Sequence, residues 1–157
     1  MLTITAKDKY FLDRAFDLAA MAAEAGNYPI GSVIVFNDEI VSEGMNQVYV
    51  PNEDPGRHAE IVALEKLPSD LKKSGEELMC FSTLEPCYMC LSTLVRYHFS
   101  RVVFASNDPV TGGGKLMQVF RTIYPDSSRL PSFEGPLDRS RGDSLYQQTL
   151  LAQNLKR

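Results

Sequence analysis

The stretch Thr83-Leu84-Glu85-Pro86-Cys87-Tyr88-Met89-Cys90 carries the chain from a strand into a helix, and its reading decides the fold. Residues 78–84 are an apolar run of strand length. Pro86 suits the first turn of a helix, because the N–H it lacks would be unpaired there, and this helix is expected to run to about His98. Both cysteines then fall in its first turn. Three residues apart, they share one face and can reach one ion, and the positive end of the helix dipole stabilises their thiolates. Upstream, His58-Ala59-Glu60 offers a neutral imidazole and a carboxylate. His58, Cys87 and Cys90 are therefore candidate ligands of Zn2+. Three protein ligands leave the fourth position open, which separates a catalytic zinc site from a closed structural one. Glu60 is left over as the candidate catalytic acid/base, because a carboxylate beside zinc can take a proton from water and return it to a substrate nitrogen.

Working outward, residues 7–25 place Phe11, Ala15, Leu18, Ala22 and Ala25 at spacings of three and four, which predicts an amphipathic helix stopped by Gly26. Residues 32–36 and 39–42 are strand-type runs around Asn37 and Asp38 and read as a hairpin. Residues 46–57 hold too many breakers for regular structure and lead to a helix that begins near His58 and lasts until Pro68. The polar segment 69–77 reads as a surface loop. After the cysteine helix, 101–105 is a short apolar strand, 106–114 a turn-rich loop at a pocket edge, and 116–120 a short apolar stretch. Residues 125–136 are irregular with one weak edge strand, and 144–155 reads as a terminal helix. Strands alternating with helices after a hairpin need crossover connections, so the predicted fold is a three-layer α/β/α sandwich around a mixed central sheet of about five strands.

A length of 157 residues with 44% hydrophobic content suits one domain, with no repeats and no second unit. No run approaches the ~18 apolar residues of a membrane span, and the N-terminus lacks a basic segment followed by an apolar one, so a cytoplasmic protein with no membrane partner is expected. Three cysteines, two of them in a metal-type pair, argue for a reducing compartment. Sixteen Lys and Arg against 20 Asp and Glu give a net charge of −4, which is not the basic excess of a protein that grips phosphates.

His-x-Glu followed by Pro-Cys-x-x-Cys is the signature of zinc deaminases acting on cytosine or adenine rings. With Tyr28-Pro29-Ile30-Gly31-Ser32-Val33, Glu43-Gly44-Met45-Asn46 and Asp54-Pro55-Gly56-Arg57 beside it, the chain resembles the cytidine deaminase-like superfamily. It is similar to the branch that contains bacterial tRNA adenosine deaminases and small guanine deaminases. The resemblance covers roughly the first three quarters of the chain. It implies a single cytidine deaminase-like domain over 1–157, a zinc hydrolase that needs no organic cofactor, and a homodimer whose partner contributes to the pocket. It also implies substrate contacts at Asn46, His58 and Ala59.

Each residue has a plainer reading too. Cys-x-x-Cys alone could be a redox dithiol, but a dithiol needs no His-x-Glu, and a zinc-stabilised interaction module would bind metal without turnover. Cys80 reads as a buried small hydrophobe, His98 as a cation at a helix C-terminus, and Gly112-Gly113-Gly114 lacks the ending of a phosphate loop. Asn46 could be a turn former, and Asp108 before Pro109 an ordinary turn opener or an acidic loop residue of tRNA-acting relatives. Those relatives carry a basic, histidine-containing stretch after the Leu-Met segment, where residues 121–130 here offer only Arg121 and Arg129 beside Asp126. Arg57 stands where they usually have a small residue. The expected substrate is a small-molecule nucleobase or nucleoside, with guanine or a similar aminopurine in front and an adenosine in tRNA as the alternative.

Overall fold

The computed structural model describes residues 4–155. Helix α1 (Ala6–Glu24) starts on a reciprocal cap, in which the Thr5 hydroxyl accepts from the Asp8 N–H and the Asp8 carboxylate accepts from the Thr5 N–H, each at 3.0 Å. It stops where predicted, at Gly26, whose φ of +89° is open to glycine at little cost. Strands β1 (Gly31–Phe36) and β2 (Glu39–Met45) form the hairpin, with Asn37 and Asp38 both at positive φ as a two-residue turn requires. Helix α2 (Ala59–Lys66), β3 (Leu78–Leu84), α3 (Tyr88–Arg96) and β4 (Arg101–Ser106) follow. The chain ends with α4 (Gly114–Ile123), a short β5 (Ser132–Glu134) and α5 (Arg139–Leu155).

The sheet runs β2-β1-β3-β4-β5, antiparallel through β2, β1 and β3 and parallel through β3, β4 and β5. Alternation along the strands assigns the two faces. Val33, Val35, Phe81, Val103 and Ala105 meet Phe11, Leu12 and Leu18 of α1 on one side. Ile34, Cys80 and Val102 meet Ala63, Leu64 and Leu94 of α2 and α3 on the other. This is the expected three-layer α/β/α architecture. Among the described residues no helix is long and apolar enough to cross a membrane.

Several boundaries differ from expectation, β2 running on to Met45 among them. Helix α3 begins at Tyr88 with Cys87 as its N-cap, so Pro86 lies outside the helix rather than in its first turn. The polar segment before β3 contains two single turns of 3-10 helix, at Leu71–Lys73 and Gly75–Glu77. The stretch around 116–120 is the middle of α4, whose Leu116, Met117 and Phe120 pack on Leu91 and Val95 of α3.

Gly44 seats α2 on the sheet. A Cβ there would lie 2.0 Å from the Ala59 carbonyl oxygen, so only glycine lets β2 run flush beneath the helix start that carries His58 and Glu60. At the other end of the sheet, Arg101 ties α1, β4 and β5 together. It bonds the Asp8 carboxylate, which is 2% exposed, and reaches Glu134 at 2.6 and 2.9 Å. Burial pushes the Asp8 carboxyl up, but the hydrogen bonds from Arg101 and Thr5 outweigh it, and the net position is below the ordinary value. Glu134 is held down chiefly by its bonds to Arg101. Both carboxyls ionise more readily folded than unfolded. Their contribution is therefore present above the unfolded values of 3.8 and 4.5 and is lost as the pH falls below them. Arg101→Met, which strands two carboxylates, is expected to cost about 3 kcal/mol or more in urea unfolding at pH 7. The penalty should shrink as acid protonates Asp8 and Glu134.

Candidate metal centre and pocket

The N-termini of α2 and α3 converge at the carboxyl ends of β3 and β4. His58 is the N-cap of α2 and Cys87 the N-cap of α3, and Cys90 sits in the first turn of α3. The Cys87 Sγ lies 3.5 Å from His58 Nδ1, and the donor atoms of His58, Cys87 and Cys90 all fall within 4.8 Å of one another. Among the described residues this is the one group of three or more metal-type donors so arranged. One nitrogen and two sulfurs at this closeness fit a borderline-soft ion such as zinc.

The three groups are electrostatically coupled to one another. The hydrogen bond from the Cys90 thiol, together with His58, holds the Cys87 thiol down at about 4 against the opposing effect of burial. Cys90 is pushed well up by donating to Cys87 and by burial, so the pair behaves as one thiolate sharing one proton. His58 is raised by its bond to Cys87. Cys80, fully buried in the core, is pushed up to about 12 by desolvation and has the inert character expected of a packing residue.

Glu60 is 4% exposed, and its carboxylate accepts from the Ser82 hydroxyl at 3.1 Å and lies near Cys90. Burial pushes its carboxyl up. A cavity of about 440 Å³ opens in front of His58 and Cys87. One edge is Tyr28 and Tyr49, whose rings meet edge-on at 5.2 Å and whose hydroxyls are 2.5 Å apart. Asn27 holds this edge by accepting from the Tyr49 and Val50 N–H groups at 2.9 and 3.0 Å. The far wall is α5, through Tyr146, Thr149 and Leu150, and the floor includes Asp108 and Thr111. A larger cavity of about 540 Å³ lies between residues 72–75 and the end of α3 at 96–98, away from the metal-type donors. His58 and Cys87 line the smaller one.

The other candidates divide. Asn46, 1% exposed, is on the cavity lining, and its Oδ1 accepts from the Val48 N–H at 3.1 Å, so it is a turn former and a pocket residue together. Ala59 is buried under β2 and is not on the lining. Asp108 opens a turn by accepting from the Val110 and Thr111 N–H groups at 2.9 and 3.0 Å, and also lines the cavity. Arg57 is tied to Gln47 and Glu65, each at 2.8 Å. His98 lines the larger cavity instead. Tyr28, Tyr49, Glu85 and the α5 residues were not singled out from sequence, because only the fold brings them together. The buried glutamate before Pro86 is the exception, and its polarity at a strand end was a signal.

Residues 5–106 match the family described as the cytidine and deoxycytidylate deaminase zinc-binding region. A protein of Buchnera aphidicola called tRNA-specific adenosine deaminase is 39% identical over 100 residues, 63% of this chain and 61% of the relative, so the chain spans about three fifths of that relative's length. A tRNA deaminase studied for A-to-I editing at the wobble position superposes with a TM-score of 0.73 at 23% identity, over 87% of this chain and 99% of its own. Guanine deaminase from Bacillus subtilis superposes with a TM-score of 0.59 at 25% identity, over 92% of this chain and 94% of its own.

Proposed function

The chain belongs to the family of the cytidine and deoxycytidylate deaminase zinc-binding region, and from that premise we propose that it is a single-domain, zinc-dependent hydrolytic deaminase. It exchanges the exocyclic amine of a nucleobase or nucleoside for oxygen and releases ammonia. The observation that carries the reading is the meeting of the His58, Cys87 and Cys90 donor atoms beside a cavity that His58 and Cys87 line, with the buried Glu60 carboxylate near Cys90.

In this reading His58, Cys87 and Cys90 hold zinc, which supplies a Lewis acid that brings the pKa of water to about 7. Glu60 takes a proton from the attacking water and delivers it to the ring nitrogen beside the reacting carbon. A second transfer through Glu60 puts a proton on the amine. The C–N bond breaks, ammonia leaves, and the oxygen from water remains on the ring as an oxo group. Ser82 orients Glu60 by donating to one of its oxygens. Asn46 supplies a buried polar edge to the base, and His58 stands at the cavity mouth.

The wall chemistry favours a small uncharged substrate. Among the described residues the cavity lining carries tyrosines, Thr149 and Leu150 and no Lys or Arg, so it offers aromatic faces to a base and no cation to a phosphodiester. Guanine or a similar aminopurine is the leading substrate. The second reading, an adenosine in tRNA, is favoured by the name of the Buchnera relative. A cytoplasmic homodimer completes the proposal. Tyr88 and Met89 on α3 and Val119 and Ile123 on α4 are exposed apolar side chains of the kind a second copy would cover, which sedimentation would test.

The substrate test is ammonia release from guanine, cytosine, adenosine, guanosine and an anticodon stem-loop in one assay. A small neutral substrate should win, with kcat/KM nearly independent of salt. Conversion of the stem-loop alone, with log kcat/KM falling by ~0.7 to 0.9 per phosphate contact against log salt, would establish the second reading.

A further inference from the structure

Glu85 is 9% exposed and makes no ion pair among the described residues. Its carboxylate instead takes two backbone donors from opposite ends of one loop. Oε2 accepts from the Asp108 N–H at 3.1 Å and Oε1 from the Gly114 N–H at 2.8 Å. Between these ends the loop folds back on the metal-ligand segment. The Gly113 N–H donates to the Pro86 carbonyl at 2.9 Å, and Gly112 forms a bridge with Cys87. The fit leaves no spare room. A Cβ on Gly112 would lie 2.4 Å from Glu85 Oε2 and from the Asp108 carbonyl oxygen.

A carboxylate this little exposed, whose hydrogen-bond partners among the described residues are backbone N–H groups, is held by geometry, and on the cavity lining it also faces the site. We infer that Glu85 is a positioning residue: by stapling both ends of the 108–114 loop, it fixes the cavity wall formed by Asp108, Val110 and Thr111 and so controls how tightly a base is held. The staple reaches further into the loop through Asp108, whose own carboxylate accepts from the Val110 and Thr111 N–H groups. The side-chain amide of glutamine has one acceptor oxygen and turns an NH2 toward the other donor, so Glu85→Gln breaks one end of the staple. Glu85→Asp keeps the charge but is one methylene too short to span both.

The inference rests on the reading of this cavity as the substrate site, and the experiment separates the two. Amide exchange in the zinc-loaded full chain should show the Asp108 and Gly114 N–H groups protected in the wild type. In Glu85→Gln at least one of the two should exchange at least ~10-fold faster while β3 and β4 amides keep their rates. With the best substrate, KM should rise at least ~10-fold and kcat should stay within ~3-fold at full zinc content. Glu85→Asp should behave alike, and it carries the same readouts if the glutamine variant does not fold. Rapid exchange of both amides in the wild type would overturn the staple, as would unchanged exchange in the variants. Loss of zinc and kcat with KM unchanged would overturn it in favour of support to the ligand set. If no base or nucleoside is turned over, the exchange rates alone decide, and the failure belongs to the deaminase reading.

Discussion

Glu60→Gln is expected to keep its zinc and its unfolding midpoint and to lose at least ~10²-fold in turnover. The substitution is nearly isosteric, so the pocket beside Cys90 and Ser82 stays filled and the ligand atoms of His58, Cys87 and Cys90 are untouched. What disappears is a group able to take a proton from water and return it to nitrogen, and a positioned acid/base typically supplies ~10²–10⁴. Removing a buried carboxylate also lifts a desolvation cost, so stability should hold or rise slightly. Elemental analysis, urea unfolding and ammonia release on one preparation check all three. Unchanged turnover would refute the proton-transfer role, and lost zinc would make Glu60 part of the metal's surroundings instead.

Cys87→Ser and Cys90→Ser should each lose most of the zinc. Losing an outer partner of a metal ligand costs ~10–100-fold in affinity, and removal of a ligand atom itself should exceed that range. Cys87 provides the readier thiolate, held down at about 4, while Cys90 lies deeper and at 0% exposure. Competition with a chromophoric chelator measures the loss. Full occupancy in both variants would remove them from the ligand set, and occupancy that then depended on Cys80 would bring that core residue into it. A redox dithiol, by contrast, would show a cysteine pair that oxidises readily in place of zinc.

Local pattern made much of this structure readable in advance. Helix α1, the β1–β2 hairpin, β3 and β4 have unmixed periodicity and turn residues at their ends, so neighbouring side chains decide them. The metal-type residues were readable for the same reason, since Cys87 and Cys90 are one turn apart and His58 and Glu60 two residues apart. Helix α4 reads from sequence only as an apolar stretch because glycines 112 and 113 precede it, a third glycine opens it, and its buried face is a short one made against α3. Helix α5 starts at Arg139 and not at 144, because Gly142 looks like a breaker. In the fold its missing side chain lets α5 close on β4, where a Cβ would lie 2.5 Å from that of Ser106. Tyr28, Tyr49, Tyr146 and Thr149 come from opposite ends of the chain, and no spacing announces such a meeting.

The terminal placement of α5 divides the chain's inheritance. The stretch matched by the family ends at residue 106 and contains His58, Glu60, Cys87 and Cys90, whereas Asp108, Val110, Thr111, Tyr146, Thr149 and Leu150 all lie beyond it. The metal-type donors thus lie in the matched segment, while the cavity lining is shared between that segment, through Tyr28, Asn46 and Tyr49, and the one that follows it. A lineage can vary Tyr146, Thr149 and Leu150 by point change and acquire a differently shaped cavity, whereas Gly112 and Gly113, which respectively bridge Cys87 and bond the Pro86 carbonyl, are tied to the metal centre.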